Sequence, residues 1–133
     1  MAVTRGQEVV SFDADSAVEA VRAETDATLF LAAEYNLEDR NSLHIHDDFA
    51  AQFDSVDERE AHLDRVYRYL NLDLVETDVY ADLFDQSRVR SFVAYTEDLV
   101  VVRVLTADQE GLCLLLSPGA PVTAVVEAVE STL

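Results

Sequence analysis

Apolar positions recur at helical spacing in three stretches of the chain. In "DADSAVEAVRAET" (13–25), Ala14, Ala17, Val18 and Val21 fall on one face, and Asp13 or Asp15 is placed to accept bonds from first-turn N–H groups. The longest pattern, "SVDEREAHLDRVYRYLNLDLVE" (55–76), opens with a capping box of Ser55 and Glu58 and carries a stripe of Leu63, Val66, Tyr67, Leu70 and Leu74. A last helix is predicted over 117–133, with Pro121 near its first position and Val122, Val125, Val126, Val129 and Leu133 inward. Between the second and third helices, "TDVYADLFDQ" (77–86) reads as a loop holding at most a short helical turn, with Tyr80, Leu83 and Phe84 packed on the domain.

The remaining apolar runs have strand character. "ATLFLAAEY" (27–35) and "SLHIHD" flank the turn-like "NLEDRN" (36–41), which predicts a hairpin over 27–47. "RVRSFVAY" (88–95), "LVVVRVL" (99–105) and "GLCLLLS" (111–117) follow with short turns between them. The element order is α-β-β-α-β-β-β-α. Nearly continuous apolar runs suit strands buried on both faces, and mixed runs suit edges. Counting strands along the chain, these constraints predict an α+β fold with a five-stranded antiparallel sheet in the order 2-1-5-4-3. Segments 41–47 and 88–95 are then its edges. Residues 13–133 form one domain behind an arm at 1–12, and Val101, Leu114, Leu70 and Val126 are expected in the core.

This order of elements resembles the roadblock/longin/profilin-like group of small α+β domains, a likeness of topology that brings no catalytic motif. The stretches "EYNLEDRNSLHIHDDFAAQF" (34–53) and "LFDQSRVRSFVAYTEDLVVVRV" (83–104) resemble an uncharacterised family of acidic haloarchaeal proteins, over roughly residues 15 to 133. That resemblance implies a salt-rich archaeal cytoplasm and supplies no activity. The chain departs from the family pattern at His44 and His46, where an aromatic or aliphatic residue and an Arg are more usual.

Charge sharpens the picture. The 133 residues include 27 acids against 9 basic residues, for a net charge of −18, and every basic residue is Arg. The acids alternate with apolar positions throughout, which describes the acidic shell of a folded domain and not a disordered tail. Such a shell repels itself at low ionic strength and is screened in concentrated salt. It also argues against nucleic-acid binding, which needs a basic footprint. The first residues lack a signal-peptide pattern and no apolar stretch reaches a membrane span, so a soluble cytoplasmic protein is expected. The lone Cys113, in "GLCLLL", excludes an intramolecular disulfide and reads as a small buried hydrophobe.

Candidate chemistry concentrates in "NSLHIHDDF" (41–49). Strand alternation puts Leu43 and Ile45 on one face and His44 and His46 on the other, so two imidazoles could share a metal, completed by Asp48 or His62. The competing reading is a polar edge strand followed by Asp47 or Asp48 capping the next segment. We favour the second, with no cofactor and no bound metal. Paired acids such as Asp47–Asp48, Glu58–Glu60 and Glu97–Asp98 are expected by chance in so acidic a chain. No nucleophile elbow or phosphate-binding glycine loop is present. Arg65, Arg68 and Tyr69 in "RVYRYL", with Arg88 and Arg90 beside the predicted edge strand, are the interface candidates, since Arg and Tyr are enriched at interfaces. The sequence therefore points to a non-enzymatic protein-interaction or regulatory module that forms a homodimer or binds a protein partner. The alternatives are a small-molecule or metal-sensing domain, and a metal-dependent enzyme built on His44, His46 and Asp48.

Overall fold

The computed structural model describes residues 3–133, apart from the side chain of Asp73. Its elements are β1 (Val3–Thr4), α1 (Ala14–Glu24), β2 (Leu29–Tyr35), β3 (Arg40–Ile45), α2 (Asp47–Ala50), α3 (Val56–Leu83), β4 (Ser91–Tyr95), β5 (Val100–Leu105), β6 (Gly111–Leu116) and α4 (Val122–Glu130). One antiparallel sheet runs β1-β3-β2-β6-β5-β4. The sheet thus has six strands, not five. The five longer ones keep the expected neighbours, but the arm adds Val3 and Thr4 opposite Ile45 and His44, so β3 is not an edge. Two residues are too few to show an alternating pattern, which is why β1 escapes a reading by periodicity.

Two layers of helix cover the sheet. On one face, α1 and α4 bury Ala14, Ala17, Val18, Val21, Val125 and Val129 against Ala32, Val102, Val104 and Leu114. On the other, Leu63, Leu70 and Leu74 of α3 pack over Leu31, Tyr35, Leu105 and Cys113. Leu70, Leu114 and Val126 are buried as expected, whereas Val101 is only half-buried under α3. Gly111 sits opposite Tyr35, and a Cβ there would come within 2.5 Å of the Tyr35 ring, so the ring lies where only a glycine leaves room.

Two local devices shape the α1 face. The β2–β3 register shifts between Ala32 and Ala33, so Leu43 is an extra residue between His44 and Ser42. Consequently Leu43 joins the core under α1 while Ile45 joins the one under α3, which corrects the expectation that both share a face. The second device is the arm. The buried Glu34 carboxylate accepts the backbone N–H groups of Glu8, Val9 and Val10 at 2.7–2.8 Å and the Asn41 amide at 2.9 Å. Buried Glu110 accepts Ser11 N–H and Oγ–H. Residues 8–11 are thereby sewn to the domain, not loosely attached.

Helix caps follow the sequence in part. Asp13 accepts from Ser16 N–H, and Ser55 from Glu58 N–H, while Glu58 returns its bond to Asp54 and not to Ser55. The main correction is α3, which continues through 77–83, the segment expected to be a loop. Asp85, at φ 53°, and the Gln86 N–H bond to Ala81 C=O at 2.8 Å end it.

Candidate functional site

With its extra turns, the second half of α3 carries a row of exposed apolar side chains. At about 100° per residue, Leu72, Val75, Val79 and Leu83 fall on the side of α3 opposite the buried Leu63, Leu70, Leu74 and Ala81. They are 52%, 62%, 57% and 71% exposed. A helix apolar on both sides normally lies inside a larger core. Here one side faces water, which makes it the candidate interaction surface.

The patch runs on to the edge of the sheet. Tyr80 of α3 stacks edge-on against Phe92 of β4 and leans on Phe84, and both Tyr80 and Phe84 are exposed. β4 is the last strand of the sheet, and its residues 92–95, "FVAY", carry no charge and no proline. Edges are usually blunted by such residues; this one is bare. Tyr95 is also largely exposed.

The interface candidates divide around this patch. Arg65, Arg68 and Tyr69 are exposed on the outward side of α3, one to two turns before Leu72. Arg88 and Arg90 precede β4 and are exposed, but both are tied to the domain: Arg88 donates to Leu105 C=O at 3.0 Å, and Arg90 forks onto the Glu130 carboxylate of α4. The Arg90 bonds hold Glu130 below the usual carboxylate range. Leu72, Val75 and Val79 were missed in the sequence, and Leu83, expected with Tyr80 and Phe84 to pack on the domain, is exposed like them. The signal was a second stripe at the same period, displaced half a turn from the first.

The His44–His46 region is built differently from either reading. His46 itself caps α2, its Nδ1 accepting Asp48 N–H at 3.0 Å, in place of Asp47 or Asp48. Asp48 approaches His46 Nδ1 only to 3.8 Å. His44 Nδ1 takes a 2.8 Å bond from Arg22 of α1. His62 does not join them; it stacks on Phe53 at the start of α3. Among the described residues no three His, Cys, Asp or Glu side chains gather closely enough to hold a metal ion. His44 and His46 do share one side, as expected, and line an open cleft of about 270 Å³ beneath the end of α1. Burial and the Arg22 charge push the His44 pKa down, against a bond to the Leu29 backbone.

No helix among the described residues is long and apolar enough to cross a membrane. The sequence matches no protein-family model and no curated protein. Solved structures do match it. The gliding protein MglB from Thermus thermophilus aligns at a TM-score of 0.57 and 18% identity, over 97% of each chain. MglB in a tetrameric arrangement aligns at 0.56 and 18%, over 98% of this chain and all of that one. At that identity the likeness is one of fold, and the fold is roadblock/longin-like, as the order of elements predicted.

Proposed function

We propose that the chain is a non-enzymatic regulatory module that acts by protein–protein contact, first with a second copy of itself, in a salt-rich cytoplasm. The observation that carries this reading is the exposed apolar face of α3, continuous through Tyr80 and Phe92 with the bare edge β4. Two copies related by a two-fold axis at that edge can extend the sheet strand to strand and lay their α3 helices antiparallel. Part of the charge on the outward side of α3 fits that arrangement, although its first turn carries Asp57 and Glu58. Arg65 and Arg68 lie in its first half and Asp82 in its last turn, so antiparallel helices crossing near Val75 bring these cations of one copy toward Asp82 of the other. The MglB structures share the fold, and one of them is tetrameric, which supports association of like copies.

The test is a pair of variants on the exposed face, Val75→Glu and Val79→Glu, made together. Light scattering should show half the mass of the unmodified chain, with unfolding unchanged at a dilution where copies separate because neither side chain is in the core. Unchanged mass would refute the α3 contact.

A further inference from the structure

The motif at 44–46 is not needed for the proposed contact, yet it builds a cleft whose chemistry runs against the rest of the molecule. The cleft lies on the opposite face of the sheet from α3 and has a partly apolar floor that includes Leu29. Its polar lining is Arg22, Thr25, Thr28, His44 and His46. No acid lines it, in a chain with three acids for every Arg.

The hydrogen-bond accounts of these side chains leave donors over. Arg22 gives one Nη2–H to His44 Nδ1 and has no carboxylate within ion-pair distance among the described residues. His46 accepts at Nδ1 from Asp48 N–H, so its proton is on Nε2, available as a donor. The Thr25 hydroxyl accepts from Ala27 N–H and retains its own proton to give. The end of α1 carries about half a negative charge from its last carbonyls, which opposes an anion. Arg22, in that same turn, brings a full positive charge.

We propose that this cleft binds a small oxyanion, a phosphate or a carboxylate, held by the Arg22 guanidinium with His46 Nε2–H and the threonine hydroxyls. His44 is then a positioning residue: its neutral Nδ1 fixes the guanidinium over the cleft. The ligand class follows from a surplus of donors around one planar cation, the arrangement that suits oxyanions.

The test uses the full chain at constant, high KCl, titrated separately with inorganic phosphate and with acetate, and read from the ring NMR signals of its three histidines. Saturable shifts of His44 and His46, with His62 still, are expected with at least one of the two anions. Phosphate alone would mark a tetrahedral ligand, acetate alone a carboxylate. Arg22→Gln should weaken the binding at least about tenfold, the loss of one charge-assisted bond. His46→Asn keeps a capping side chain but removes Nε2–H, and should weaken it with the fold intact. Linear shifts with both anions, equal movement of His62, or unchanged binding in Arg22→Gln would overturn the proposal. None of these results depends on the oligomeric state.

Discussion

His44 shows how one residue's environment becomes a property of the whole chain. Its folded pKa lies below the ordinary 6.5, first through burial and then through Arg22. The unfolded ring therefore takes up its proton first as pH falls. Stability should drop from pH 6.5 downward until the folded ring protonates too, and then level off. Urea unfolding of the native chain and of His44→Gln across that range should show a steeper fall in the native chain. Glu34 is the second residue-scale case. Its two oxygens collect three backbone N–H groups and the Asn41 amide, all acceptor work for which a neutral amide has one oxygen too few. Glu34→Gln should cost about 1–3 kcal/mol in denaturant unfolding, the usual price of an unsatisfied buried polar group, and expose residues 5–12 to protease. No loss would mean the arm is held by other contacts. Glu34 was legible only as an anomaly, an acid inside the apolar run "LFLAAEY". Its partners in the arm lie 24 to 26 residues away along the chain, beyond any local pattern. The histidines were legible as a motif, but the Leu43 bulge that sets their neighbours was not, because a bulge leaves the composition of a strand unchanged.

At the scale of elements, periodicity recovered what a single buried face dictates. Strands β2, β5 and β6 were recognised as central from their continuous apolar runs, and α1 from its narrow stripe. It failed where two demands overlap. Residues 77–83 of α3 read as a loop, while the helix is held by Leu74 and Ala81 inside and carries Val79 and Leu83 outside. The two faces should respond differently to truncation. Leu70→Ala empties core volume and should cost roughly 2–5 kcal/mol. Leu72→Ala, on the exposed face, should leave the stability of the single copy within about 0.5 kcal/mol and weaken association instead. Chemical unfolding at a dilution where copies separate resolves the two; a large loss at Leu72 would turn α3 around.

For the whole molecule, the net charge of −18 and the exposed apolar face pull in opposite directions. Repulsion between like-charged copies weakens both folding and pairing when unscreened, and near 1 M salt the screening length shrinks to about 3 Å. The melting temperature should rise between dilute and molar KCl, and equal values would remove the acidic shell from the account. The same salt favours burial of α3 and β4 against a second copy. Sedimentation equilibrium of the unmodified chain in molar KCl tests that directly. The account predicts a mass twice the 14.8 kDa of one chain. A single-chain mass that persists as concentration is raised would contradict it.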